Sequence, residues 1–228
     1  MAPRYRNLIF DLDDTLIASF PQYAAMHQRI ATELGLRVPS LDELADYRTT
    51  WTETLAHYWP DTSLEPFLAR YEEVADEYVY PAIDGILAAM HTLREREHRL
   101  WIVTKRSSRR LSARMQAAGV EESLFEGIFP LEQQPVTKPD PRCFEPVWDA
   151  LGGRAVEESL YVGDRREDML AARAAGMNFL GVRSGPEQGK TFGADTPNTH
   201  ILESAADVPD WLLSSHVLHN ERPCPPLF

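Results

Sequence analysis

Lysine is scarce in this chain, three in 228 residues, and none precedes Lys105. Cysteine is scarcer, with only Cys143 and Cys224. Two cysteines cannot build a disulfide framework, and neither has the spacing of a metal site, so a reducing compartment is expected. No apolar run approaches the roughly 20 residues that span a bilayer. An acidic motif beginning at Asp11 leaves no room for a cleaved leader, and a cytoplasmic protein is expected. Basic residues are outnumbered, 23 against 35 acidic ones, for a net charge of −12. Without a basic face the chain is not expected to bind nucleic acid. A small anionic substrate needs only a few local cations and remains open. No internal repeat is visible, and oligomeric state cannot be read.

What is present is concentrated in one stretch, Leu8-Ile9-Phe10-Asp11-Leu12-Asp13-Asp14-Thr15-Leu16. An apolar strand runs directly into three acids. Unpaired carboxylates are costly to bury, so a compensating cation is expected at the strand's end. Asp11 and Asp13 are two apart, and on an extended backbone they leave on one face.

From Pro21 to about Tyr80 the periodicity is helical. Tyr23, Met26, Ile30 and Leu34 share a face, with Gly35 as a C-cap. Ser40 before Leu41-Asp42-Glu43 reads as an N-cap. Ser63 opens a helix with Leu64, Phe67, Leu68, Tyr71, Val74 and Tyr78 on its apolar side. Three or four inserted helices are expected. Beyond Pro81, helices at 83–95, 107–118, 140–151, 167–175 and 205–213 alternate with strands at 100–104, 127–129, 160–162 and 179–182. That alternation predicts an α/β fold, a Rossmann-like, doubly wound parallel sheet covered on both faces, carrying a small all-helical insert. Residues 1–17 and 82–215 would form the core, 18–81 the insert, and 216–228 a proline-rich tail with little regular structure.

Ligands of open parallel sheets bind beyond the carboxyl ends of the strands. Asp11 and Asp13 end one strand, Thr104, Lys105 and Arg106 a second, and Gly163, Asp164 and Asp168 a third. Lys138, between Thr137 and Pro139, could reach the same edge. Carboxylates, a hydroxyl and an ammonium group together suit Mg²⁺ and a phosphate, since Mg²⁺ takes oxygen ligands and Lys serves as a point charge.

Asp11-Leu12-Asp13-Asp14-Thr15, Thr104, Lys138-Pro139 and Gly163-Asp164 with Asp168 resemble the four ordered motifs of the haloacid dehalogenase-like hydrolase superfamily. The helical insert, with Pro81-Ala82-Ile83-Asp84-Gly85 returning from it, resembles the α-helical cap of the phosphoglycolate phosphatase-like branch. The resemblance implies an enzyme, a Mg²⁺-dependent phosphatase acting on a small phosphorylated metabolite. Asp11 would be the nucleophile that forms an aspartyl phosphate, and Asp13 the acid–base. Leu12, Asp14, Thr104, Lys105 and Lys138 would bind phosphate, Leu12 and Asp14 through the motif's backbone. Asp11, Asp13, Asp164 and Asp168 would hold the metal, Asp13 through its carbonyl; Asp168 could instead orient Lys138. Asp14 stands where many relatives have Gly and is expected to be a turn residue whose N–H meets the phosphate. Lys105 could touch phosphate or pair with a surface acid.

Other residues are expected to be structural. Arg106, Arg109, Arg110 and Arg114 read as a solvated helix face, the histidines as surface or turn residues, and Cys143 as a small apolar residue. Trp51, Tyr58 and Trp59 read as core of the insert rather than pocket. Arg48 is a candidate for a substrate anion contact. A dehalogenase would not need Asp13, and a phosphonate hydrolase would need a lysine in the insert, which has none. A sugar phosphomutase, or a regulatory binder that kept the fold, remains the alternative to hydrolysis.

Overall fold

The computed structural model describes residues 3–46, 50–192 and 199–220. Arg48 and the 221–228 part of the tail, with Cys224, lie outside them.

Six parallel strands form one sheet in the order β3-β2-β1-β4-β5-β6. They are β1 (Asn7–Phe10), β2 (Arg99–Val103), β3 (Phe125–Phe129), β4 (Ser159–Gly163), β5 (Asn178–Val182) and β6 (His200–Leu202). Alternate side chains of each strand enter different cores, as the two-residue period of a strand requires. Leu8, Phe10, Leu100, Ile102, Leu160 and Val162 pack against α5 (Ile86–Glu95), α6 (Leu111–Ala117) and α9 (Val208–Asn220). Ile9, Trp101, Val103 and Tyr161 pack against α7 (Glu145–Leu151) and α8 (Arg166–Ala175). Both faces are thus covered, and each fully buried Leu, Ile or Phe contributes about 1.5–3 kcal/mol.

Four helices leave the chain between β1 and α5: α1 (Phe20–Glu33), α2 (Leu41–Ala45), α3 (Trp51–Tyr58) and α4 (Glu65–Val74). They close around their own apolar cluster, which includes Met26, Ile30, Leu44, Leu55, Tyr58, Trp59 and Phe67. Ser40 and Thr50 begin α2 and α3 with reciprocal capping boxes to Glu43 and Glu53, satisfying N–H groups that a helix start leaves open. Tyr58 and Trp59 are core as expected, whereas Trp51 is half-buried and faces a cavity.

Three expectations need correction. Two histidines are core rather than surface: His27 accepts from Trp51 Nε1 at its Nε2 and meets the Tyr23 carbonyl through Nδ1, and His98 meets the Tyr5 carbonyl. The final helix continues to Asn220, well into the stretch expected to be irregular. Strand β6 was not visible in the sequence, because three residues carry too little alternation to be read.

Candidate active site

Strands β2, β1 and β4 are neighbours, so Thr104, Asp11 and Asp164, each the first residue past its strand, emerge side by side. The chain crosses from one half of the sheet to the other between β3 and β4, which makes this edge the topological switch point. Lys138 arrives from the loop after β3 and is 2 % exposed. Its Nζ donates to Asp11 Oδ1 at 2.7 Å, Asp168 Oδ1 at 2.7 Å and the Tyr161 hydroxyl at 2.9 Å. Burial works against the ammonium charge, but Asp11 and Asp168 outweigh it and hold Lys138 protonated, well above its usual range.

Asp168 is fully engaged. Its Oδ1 also accepts from Tyr161, and its Oδ2 accepts the Arg165 N–H at 3.0 Å. Gly163 makes room for it: a Cβ there would lie 2.6 Å from the Asp168 carboxyl carbon. Asp164 is the opposite case. It is 1 % exposed, and its Oδ2 has no hydrogen-bond partner among the described residues. Oxygens of Asp11, Asp164 and Asp168 lie within 4.8 Å of one another. Burial, then the neighbouring Asp168 and Asp11 charges, push the Asp164 carboxyl well above its ordinary value. Burial likewise lifts Asp11 to about 7 against the pull of Lys138. One ammonium thus bonds to two of three clustered carboxylates, and the orphaned oxygen of the third completes a donor set that suits a hard divalent cation.

Asp13 faces a different partner. Arg106 grips both of its oxygens, Nε lying 3.1 Å from Oδ1 and 3.0 Å from Oδ2 with Nη2 also on Oδ1, and the Ser19 hydroxyl donates to Oδ1 as well. Burial opposes ionisation here, but the Arg106 charge and hydrogen bonds, with that of Ser19, hold Asp13 below the usual carboxylate range. Arg106 is therefore no part of a solvated face. It lies beside the acid, with its guanidinium 5.1 Å from the Tyr80 ring centroid. Thr104 is buried, and its hydroxyl accepts the Arg106 N–H at 3.1 Å, leaving its own proton to donate.

Asp14 departs from expectation. Its N–H is spent on the Ile17 carbonyl at 2.7 Å and is not offered to a ligand. Its carboxylate turns back to accept the Ser19 and Phe20 N–H groups at 2.9 and 2.8 Å, capping α1 from outside the helix. Burial lifts that carboxyl to about 6 despite those bonds. Its φ of 57° is left-handed, which Asp tolerates better than most residues and Gly best. Among the described residues the N–H groups of Leu12 and Asp13 donate to nothing, so they are the turn's open donors. The Lys105 ammonium is paired with Glu167 at 2.9 Å, the acid-pairing alternative.

These groups open into a cavity of about 490 Å³. Asp11, Asp13, Thr104 and Lys138 line one side, and Tyr23, His27, Trp51 and Tyr71 of the helical insert line the other. The arginine-rich segment after β2 docks the insert: Arg110 pairs with Asp76 at 2.6 Å and Glu72 at 3.0 Å, and Arg114 is buried. Sequence reading missed Ser19 and Tyr161 as parts of the site, and it set Arg106 at the right strand end but read its side chain as solvated. Only Arg106 carried a signal, two residues past Thr104. Gly185 was missed too, and a Cβ there would meet Asp164 Oδ2 at 1.9 Å.

A parallel sheet with carboxylates at its switch point and a helical insert over them defines a class of enzyme. The sequence profile of haloacid dehalogenase-like hydrolases matches residues 8–182. The chain belongs to that family and is a hydrolase. A phosphoglycolate phosphatase of Pectobacterium atrosepticum is 30% identical over 234 residues, covering 96% of this chain and 96% of its own. A phosphoglycolate phosphatase of Pseudomonas putida KT2440 is 28% identical over 219 residues, 90% of this chain and 79% of its own. Among solved structures, a Bacteroides fragilis protein assigned as a haloacid dehalogenase-like hydrolase superposes with a TM-score of 0.77 at 25% identity, over 90% of this chain and 99% of its own.

Proposed function

We propose that the chain is a Mg²⁺-dependent phosphohydrolase that cleaves a small phosphomonoester through an aspartyl phosphate on Asp11. The observation that carries this reading is the buried Lys138 bonded to Asp11 beside the partnerless Asp164 oxygen. A lysine fixed by two carboxylates is a phosphoryl-oxygen ligand held in place, and the orphaned oxygen marks where positive charge is wanted.

Lys138 takes Asp11 Oδ1, which leaves Oδ2 as the attacking atom. The Leu12 and Asp13 N–H groups, the Thr104 hydroxyl and Lys138 bind the transferring group's oxygens, supplying the positioning and charge stabilisation on which phosphoryl transfer depends. Asp164 and Asp11, with the Asp13 carbonyl, would hold Mg²⁺, and Asp168 holds Lys138. Mg²⁺ when bound neutralises charge on the carboxylates and the phosphoryl oxygens.

Asp13 protonates the leaving oxygen and then takes a proton from the water that cleaves the acyl phosphate. Bound by Arg106 it is an ionised carboxylate, so the acid role requires the guanidinium to shift toward an arriving anion. Residues 18–81 act as a cap whose closure excludes bulk water. Phosphoglycolate is the first substrate to try, given the relatives.

The test is turnover of an aryl phosphate with Mg²⁺. Activity in the wild type that is lost in Asp11→Asn supports the reading. An inactive wild type, with no Asp11-dependent turnover across a panel of metabolite phosphates, refutes it.

A further inference from the structure

Seven cationic side chains line the cavity, and six have a carboxylate within 4.0 Å. Arg114 is the seventh. Among the described residues it has no carboxylate partner, although it is only 9% exposed. Its guanidinium stands 4.4 Å from the centroid of the Tyr80 ring, and Nη2 donates to the Tyr71 hydroxyl at 3.4 Å. A ring face and one long hydrogen bond offset little of the cost of burying a guanidinium. Arginines in such positions are ordinarily paired, and this one opens onto a cavity that also holds the reacting carboxylates.

Arg106 and Arg114 lie within 5.1 and 4.4 Å of the centroid of the same Tyr80 ring, and Arg106 grips Asp13. The uncompensated charge is therefore close to the chemistry, and Tyr71 adds a hydroxyl from the insert.

We propose that Arg114, stacked on Tyr80 and steadied by Tyr71, receives a second anionic group of the substrate, at the end away from the phosphate being cleaved. It is a specificity-determining residue: the preferred substrate is a phosphomonoester that carries another anion, a carboxylate or a second phosphate. The planar fork of a guanidinium suits either one bidentately. The assignment rests on the phosphohydrolase reading for the position of the first phosphate, and it adds the substrate's charge pattern.

The experiment is calorimetric binding, with Mg²⁺, of phosphonates that are not hydrolysed. Methylphosphonate is compared with ω-phosphonocarboxylates and α,ω-bisphosphonates of increasing chain length, in the wild type, Arg114→Met, Arg114→Lys and Tyr71→Phe. One chain length should bind the wild type about tenfold to a hundredfold more tightly than methylphosphonate, the range of a hydrogen-bonded charge pair. The carboxylate and bisphosphonate series identify which anion is taken. Arg114→Met should abolish that ratio, and Arg114→Lys should keep part of it, because the charge survives without the fork.

If Arg114→Met does not fold, Arg114→Lys and Tyr71→Phe decide, each with an expected reduction of the ratio by at least about threefold. A wild type with no gain for any second anion, or variants that retain the whole gain, overturns the proposal. Aryl phosphate turnover measured on the same wild-type protein keeps the two readings apart. Turnover without a second-anion gain refutes only the role of Arg114, and a gain without turnover refutes only the phosphohydrolase.

Discussion

Removing Lys138 should produce a defect whose size depends on pH. In Lys138→Met the ammonium bonded at 2.7 Å to both Asp11 and Asp168 is replaced by an apolar chain of similar length. Breaking a buried pair by deleting one partner costs about 3–5 kcal/mol, because the remaining charge is left uncompensated. The carboxylates can escape part of that cost by taking up protons.

In the metal-free wild type Asp11 already ionises only near 7, above its unfolded value of about 3.9. A folded pKa above the unfolded one favours folding at low pH, and that contribution is lost as pH rises through the folded value. Without Lys138 the Asp11 value rises further. Each extra proton kept by the folded state steepens the fall by about 1.4 kcal/mol per pH unit. Urea unfolding with a chelator present should therefore find the variant about 3–5 kcal/mol weaker than the wild type at pH 8, with the gap about 1.4 kcal/mol smaller at pH 5, because the extra proton matters only above the wild-type Asp11 value of about 7. Mg²⁺ should bind the folded variant no more weakly than the wild type, since a competing cation is gone, while turnover falls at least about a hundredfold. Stability curves that run parallel from pH 5 to pH 8, or separate by less than about 1 kcal/mol, would refute the buried-cluster reasoning.

Gly185→Ala places a Cβ on the Asp164 oxygen that is free to meet a cation, so Mg²⁺ affinity by titration calorimetry should fall at least about tenfold; unchanged affinity would remove Asp164 from the metal site. Asp14→Ala loses the acceptor for two α1 N–H groups and keeps a left-handed residue, so it should destabilise by about 1–3 kcal/mol in urea unfolding. Asp14→Asn, which retains an acceptor and tolerates that backbone, should lose less than half as much. His27 ionises near 4 when folded and near 6.5 when unfolded, so the unfolded chain binds the extra proton between those values. Stability should fall as pH drops through 6.5, with the loss reaching about 3 kcal/mol below pH 4. His27→Gln should remove that share of the acid sensitivity, and acid curves identical to those of the wild type would contradict it.

The sheet and most of its helices were legible because burial imposes a strict period. Leu8 to Phe10 and Leu100 to Val103 are continuous apolar runs, as strands covered on both faces must be. Asp11, Thr104 and Asp164 were legible for a related reason: polar residues directly past buried strands are costly unless used; Lys138, in a loop well past β3, was legible from the resemblance of Lys138-Pro139 to a family motif. The fine division of labour was not. Asp13 and Asp14 are adjacent and chemically alike, yet one meets Arg106 and the other caps α1, because the chain turns left-handed at Asp14. Arg114 and Arg109 share a helix-like pattern, but only contact with an insert tens of residues upstream buries the first and leaves the second largely exposed. Tyr161 reads as core from its strand position, which its ring confirms while its hydroxyl reaches Lys138. Partnerships across sequence separations of 43 residues for Arg114 and Tyr71, or 93 for Arg106 and Asp13, leave no periodic trace.

The central claim is that Asp11 attacks phosphorus and carries the phosphoryl group. A single turnover of an aryl phosphate with Mg²⁺ in heavy-oxygen water, followed by mass spectrometry of the Asp11 peptide, tests it most directly. Water attack at phosphorus breaks the bond between phosphorus and the Asp11 oxygen, so the heavy isotope should appear in inorganic phosphate while Asp11 keeps both of its own oxygens; heavy isotope in the Asp11 carboxylate would instead mark attack at its carbonyl carbon. Attack at phosphorus is the expected course, so a phosphoryl group on Asp11 in acid-quenched wild type, absent from Asp11→Asn, is the result predicted. Turnover with no phosphorylated Asp11 peptide at any quench time, and equal activity in Asp11→Asn, would contradict it.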